Sequence, residues 1–233
     1  MHAKSFFIRL HVVATLVLTT LFLSNAWAAT QWNEKVLLNF NGMDGGFYPE
    51  AGLILDPEGN LYGTSSAGGT YGYGTVFELT PAQGGGWTQT VLYSFMFGRD
   101  GAYPQGGLIF DAVGNLYGTT PYGGTYGYGT VFELSPVAGG GWTETVLYSF
   151  NDNNGTDGVY PEAGLIFDAA GNLYGTTLVG GPYYCPGGDG YGCGTVFELT
   201  PVYPCATCSH TAFREADVLP TAKRDMAGDP NLL

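Results

Sequence analysis

Positive charge is scarce in this chain of 233 residues: seven Lys and Arg stand against 20 Asp and Glu, a formal net charge of −13. That balance disfavours nucleic acid and anionic membrane surfaces, which attract basic protein faces. Histidine is scarcer, with three in all, and His210 is the only one beyond residue 28. Ser/His/Asp and Cys/His nucleophile systems therefore find no base in the body of the chain. No G-x-G-x-x-G loop follows a strand pattern and opens a helix, so dinucleotide binding lacks its signature. Cysteine is absent before Cys185. Long apolar runs are absent too, apart from the mostly apolar stretch Leu10 to Leu23, which is too short to span a bilayer comfortably.

That stretch has the form of a secretory signal over residues 1–28, with Lys4 and Arg9 before it and Ala26-Trp27-Ala28 as the cleavage pattern. Its removal leaves five basic residues against 20 acidic ones and no further membrane span, so the expected location is secreted or at the cell surface. Export in turn favours disulfides among Cys185, Cys193, Cys205 and Cys208. Cys185 and Cys193 bracket an insertion and are expected to pair; Cys205 and Cys208 can pair within themselves or crosswise.

Glycine and aromatics are plentiful: 39 Gly, 17 Tyr and 14 Phe, with no Gly-X-Y period and hence no collagen. They fall into an internal repeat. WNEKVLLNF (32–40) recurs as WTQTVLYSF (87–95) and WTETVLYSF (142–150). AGLILDPEGNLYGTSS (51–66) recurs at 106–121 and 163–178, and GTVFELTP (74–81) at 129–136 and 194–201. The first two copies are 55 residues apart without a gap; the third carries two extra residues in 151–160 and eight in 182–193. Self-similarity at this period marks units that bury their faces against their neighbours.

Each copy predicts four short strands. Leu53 to Leu55 is a short apolar run, expected to be buried on both faces. The turn Asp56 to Asn60 follows, with equivalents Asp111 to Asn115 and Asp168 to Asn172, because Asp bonds the backbone ahead of it and Gly accepts positive φ. Leu61 to Thr64 is the second strand, and the glycine-rich loop 68–74 leads to the third, Thr75 to Thr80, which Pro81 should stop. Gly84 to Gly86 turns into the fourth, Trp87 to Phe95. The expected fold is all-β: three four-stranded antiparallel units (about 32–86, 87–141 and 142–201) packed like an incomplete or open β-propeller, then an irregular tail over 202–233.

GNLYGTT at 114–120 and 171–177, the paired glycines before GTVFELTP and the VLYSF strands resemble the GloVer tandem-repeat family of exported bacterial proteins over roughly 32–201. The LIFDAVGNLYGTT hairpin is also similar, more weakly, to NHL-type propeller blades. The resemblance implies a propeller-like repeat outside the cytoplasm and supplies no catalytic residues. The third copy departs from the pattern, because no VLYSF strand follows Pro201. The segment 32–40 is by the same arithmetic an outer strand whose unit lies elsewhere. Closure on the third unit, an open arc or remnant of a longer protein, and a ring of two chains are the alternatives. Self-association is expected from open edges and apolar faces.

The repeated Asp56, Asp111 and Asp168, with Asn60, Asn115 and Asn172, are expected to be structural turn residues, and Glu78, Glu133 and Glu198 face residues. Paired carboxylates can hydrolyse glycosides, but recurrence in every copy favours structure over catalysis. Asn151 to Gly158 offers closely spaced oxygens, so calcium near Asp152 and Asp157 is an expectation of lower rank than an ordinary polar loop. The best binding candidates are Tyr71, Tyr73, Tyr126 and Tyr128, rings on glycine-rich loops suited to stacking on sugars or docking a protein. The function expected is a binding or structural module at or outside the cell surface. An extracellular carbohydrate-active enzyme or sugar-binding module using loop Tyr and Asp or Glu is the alternative, with a glycan or a surface protein as partner.

Overall fold

The computed structural model describes residues 32–42, 44–152, 155–186 and 192–201. The signal segment, Cys205, Cys208, His210 and the tail lie outside the described residues. Strands β1 (Ile54–Leu55), β2 (Leu61–Ser65), β3 (Thr75–Pro81) and β4 (Trp87–Ser94) form an antiparallel sheet in sequence order. Strands β5 (Ile109–Phe110), β6 (Leu116–Thr120), β7 (Thr130–Pro136) and β8 (Trp142–Ser149) form a second of the same order. Strand β9 (Gly158–Val159) comes next, and β10 (Ile166–Phe167), β11 (Leu173–Thr176) and β13 (Val196–Leu199) make a third sheet of three strands; β12 (Val179–Gly180) pairs with β9. The described residues contain no α-helix, and no helix is long and apolar enough to cross a membrane, which says nothing of strands.

Registers repeat with the sequence: Glu78 faces Tyr62 and Thr90, Glu133 faces Tyr117 and Thr145, and Glu198 faces Tyr174. A bulge recurs as well. Val76 faces Tyr93 but Phe77 faces Val91, so Leu92 is the extra residue, as is Leu147 in the second sheet. Such a residue bends its strand and increases the local twist.

Four sequence expectations need correction. Segment 32–40 pairs in no ladder among the described residues; it lies against the first sheet through side chains, Phe40 on Phe77. The run at 53–55 is not buried on both faces: only two of its residues pair, and Leu53 and Leu55 stay exposed with no sheet packed before them. Its equivalents Leu108 and Leu165 are buried, since each does have a preceding sheet. Pro81 and Pro136 are themselves paired, facing Trp87 and Trp142, so the strands run one residue further than expected and end at the prolines, and Ala82 and Val137 donate the hairpin bonds to Gly86 and Gly141. Among the described residues the third sheet has three strands, so of the three four-stranded sheets expected two are seen complete.

The core lies between consecutive sheets. One cluster joins Tyr62 and Val76 of the first sheet to Leu108, Leu116, Phe132 and Leu134 of the second, with Phe95 between. The other joins Tyr117 and Val131 to Leu165 and Leu173, with Phe150 between. Edge-on ring pairs repeat across both seams, Phe95 on Phe132 at 5.2 Å and Phe150 on Phe197 at 5.1 Å. Tyr62 on Phe110 and Tyr117 on Phe167 are both at 5.0 Å. Hydrogen bonds cross the seams as well, from Thr64 Oγ1 to the Gly106 carbonyl at 3.2 Å and from Thr119 Oγ1 to that of Ala163 at 2.9 Å. A glycine in each central strand lets a ring approach: a Cβ at Gly63 would meet Phe77 Cζ at 2.8 Å, and one at Gly118 would meet Phe132 Cζ at 2.6 Å.

Strand alternation sorts the connections to two ends. The Asp-to-Asn turns lie at one end of each sheet, with the triple-glycine hairpins of the first two, and the long glycine- and tyrosine-rich loops share the other.

Candidate functional site

At the turn end, Asp56 Oδ1 accepts the Asn60 backbone N–H and Oδ2 the Asn60 side-chain amide, both at 2.8 Å. Asp111 and Asp168 bind Asn115 and Asn172 in the same way, at 2.8–2.9 Å. The Tyr62 hydroxyl lies 3.1 Å from Asp56 and 2.9 Å from Glu78 Oε1, and Tyr174 lies likewise between Asp168 and Glu198. A hydroxyl has one proton, so it donates to one carboxylate at a time. In the second sheet Ser135 takes over, its hydroxyl donating to Glu133 at 2.7 Å, and Tyr117 keeps Asp111 alone. Burial works to raise the Asp56 and Asp111 carboxyls, but bonds from Asn60, Asn115 and the tyrosines outweigh it and hold both below the ordinary value. At exposed Asp168 the Asn172 backbone N–H leads the same lowering. Tyr174 is pushed up to about 12, first by its bond with Glu198. This geometry favours the ionised form of the three aspartates.

Grooves open between the sheets at this end. One of about 560 Å³ is lined by Asp56, Tyr62, Phe110, Asp111 and Trp142. Its counterpart of about 490 Å³ between the second and third sheets is lined by Tyr117, Phe167, Glu198 and Pro201 and by Leu147 and Tyr148 of β8; no tryptophan occupies it.

The loop end is aromatic. Tyr73 packs on Phe97 at 5.1 Å and on Tyr103 at 5.7 Å; Tyr103 meets Tyr122 at 5.9 Å, Tyr122 meets Tyr160 at 5.2 Å, and Tyr160 meets Tyr128 at 6.1 Å. The six rings form a continuous row along the loops of the first two sheets and the segment leading into the third. Phe97 and Tyr122 are exposed in the row, and Tyr71 and Tyr126 are exposed beside it. The four loop tyrosines expected to act alike thus divide: Tyr71 and Tyr126 reach solvent, while Tyr73 and Tyr128 are half-buried supports. Backbone bonds fix the row, from Tyr103 N–H to the Tyr73 carbonyl at 2.8 Å and from Tyr160 N–H to that of Tyr128 at 3.0 Å. Tyr48, Tyr103 and Tyr160 hold φ of 58–59° and Phe97 holds 60°, a left-handed conformation uncommon for bulky residues and associated with functional segments.

Two acids anchor these loops, Asp100 buried and Asp157 half-buried. Asp100 accepts the backbone N–H groups of Met96 at 2.8 Å and Gly98 at 3.1 Å. Asp157, one of the two expected near calcium, accepts the Asn151 N–H at 3.0 Å and the Tyr148 hydroxyl at 2.8 Å. That bond and burial push Tyr148 up to about 12, burial first. Asp152 accepts the Gly155 N–H through its backbone carbonyl, and Asn153 and Asn154 lie outside the described residues. No group of three metal-binding side chains occurs among the described residues. Cys185 and Cys193 form a disulfide that closes the inserted loop at the same end, with Cα atoms 5.0 Å apart.

Glu144 was not singled out by its sequence position, and its environment sets it apart. Its counterpart Gln89 donates to the Gly45 carbonyl at 2.7 Å. Glu144 has no proton to donate when ionised, and its buried Oε1 has no hydrogen-bond partner. Burial, and then the charge of Asp100, push it up to about 7. The signal in the sequence was a single change from Gln to Glu between otherwise matching WTQTVLYSF and WTETVLYSF.

No curated protein matches the chain. The Gloeobacter/Verrucomicrobia repeat model matches residues 26–223, which takes in all three sheets and both kinds of loop. The chain therefore belongs to the Gloeobacter/Verrucomicrobia repeat family, the family its GNLYGTT and VLYSF motifs resemble.

Proposed function

We propose that the chain is an exported, propeller-like repeat module that binds a glycan through the aromatic row at its loop end. The observation that carries this reading is the row itself: six contiguous rings at the loop end, with Phe97 and Tyr122 exposed in it and Tyr71 and Tyr126 exposed on the same glycine-rich loops as Tyr73 and Tyr128. Rigid rings give large contact area at low entropic cost, and sugar faces stack on them. Sheets that follow one another with the same order and the same seam contacts support a propeller-like packing. The disulfide and the signal-like segment 1–28 support an extracytoplasmic location. The enzyme alternative is weakened because the repeated turn carboxylates and the loop tyrosines sit at opposite ends of the sheets.

A glycan array probed with the purified protein tests the reading. Binding is expected without release of product, and Phe97→Ala and Tyr122→Ala should each lower affinity by roughly tenfold, the effect of losing one stacked ring. Binding that survives both substitutions, or glycan cleavage, overturns it.

A further inference from the structure

We propose that residues 32–40 are a spare outer strand which each chain donates to the open edge of β13 in a second copy. The repeat supplies the first argument. Segments 87–94 and 142–149 are the outer strands β4 and β8, and 32–40 carries the same Trp, Val and Phe positions. It nevertheless pairs with no described strand, and Trp32 is 91% exposed. The acceptor is the second argument. Among the described residues strand β13 pairs with β11 alone, and its Val196 is 80% exposed although the equivalent Val76 and Val131 are fully buried.

Register joins the two. Transferring the β3·β4 and β7·β8 pairings, bulge included, sets Val196 against Leu38, Phe197 against Val36, Glu198 against Lys35, and Pro201 against Trp32. The Phe–Val and Pro–Trp pairs are those of the complete sheets. Opposite Glu78 and Glu133 stands Thr; opposite Glu198 would stand Lys35, the only lysine between residues 29 and 201. Opposite charges directly across two strands stabilise the pair. The groove is the fourth match. Trp142 lines the groove between the first two sheets, and Trp32 in this register reaches the corresponding 490 Å³ groove beside Pro201.

A second copy is required because the donor is already committed to the far side of its own chain. Phe40 packs edge-on against Phe77 of the first sheet at 5.3 Å, repeating the Phe95–Phe132 and Phe150–Phe197 contacts. The strand is thus held on the first sheet while the edge it fits belongs to the third. In the partner it can keep Phe40 on its own sheet and still complete the neighbour's, as β4 and β8 do. The inference concerns assembly and stands whether or not the loop end binds glycan.

Zero-length carbodiimide coupling of light and heavy-isotope chains, mixed dilute and concentrated together, tests it with light scattering as the mass readout. A mass of two chains is expected, with Lys35 amide-linked to Glu198 in mixed light–heavy peptides. Lys35→Glu should weaken association by roughly tenfold, and Lys35→Glu with Glu198→Lys should restore it. A mass of one chain, association without that linkage, linkage only within like-isotope chains, or failure of the double substitution to rescue overturns the proposal.

Discussion

Strands β7 and β13 share the sequence Val-Phe-Glu-Leu, yet they live in different surroundings. In β7, Val131, Phe132 and Leu134 are fully buried; in β13, Val196 is 80% exposed and Phe197 and Leu199 are only half-buried. The two differ in what flanks them. Strand β7 has an outer strand, β8, and a following sheet packed on its face, whereas β13 has neither among the described residues. Burial in this molecule is conferred by neighbours rather than by a strand's own letters. The same rule holds at the other end of the chain, where Leu53 is exposed and Leu108, with a sheet before it, is buried.

The sharpest way to break this comparison is to remove the same ring from both strands. Phe132→Ala should cost about 4 kcal/mol as the lost transfer energy and the cavity add. Phe197→Ala should cost about 1 kcal/mol, because part of its surface is already wet and no further sheet among the described residues covers it. Equal losses in denaturant unfolding would show that the third sheet is as well packed as the second. Reduction of the Cys185–Cys193 disulfide frees an inserted loop that only the third sheet carries, and should cost about 2–3 kcal/mol on the loop-entropy account. Hydrogen exchange should then rise in 176–199 and stay unchanged in 116–136. Gly118→Ala forces a Cβ into the Phe132 ring and should cost about 2 kcal/mol. Gly175→Ala meets Phe197, a ring free to shift, and should cost about half as much.

The smallest effect depends on pH. The folded Glu144 carboxyl is raised to about 7 from 4.5, so the folded state holds its proton more tightly than the unfolded chain does. Stability should therefore fall as pH rises from about 4.5 to about 7. Glu144→Gln, which restores the donor Gln89 has, should stabilise by about 1 kcal/mol at pH 8, after discounting for partial exposure, and by almost nothing at pH 4. Asp111 slopes the other way: its lowered value adds stability above the ordinary carboxylate range that is lost as pH falls through the folded value. A pH series on both Glu144→Gln and the parent chain separates the two slopes.

Turns and strand order were legible because they are local: Asp-x-x-Gly-Asn fixes its own reversal, and a 55-residue self-alignment shows which strands correspond. What escaped depends on a neighbour. The exposure of Leu53 follows from the lack of a preceding sheet, and the bulges at Leu92 and Leu147 appear only when two strands are laid together. The loop tyrosines looked alike in sequence, and only the rings of Phe97, Tyr103 and Tyr160 around them decide which support and which project. Glu144 was invisible for the same reason, since its meaning lies in the Asp100 loop it faces.

Because each apolar cluster spans one seam and no cluster draws on all three sheets, the gene can lengthen or shorten by whole 55-residue modules without redesigning an interior. A duplicated module would arrive with both halves of its own joint, and natural selection could treat size as a dial turned by recombination.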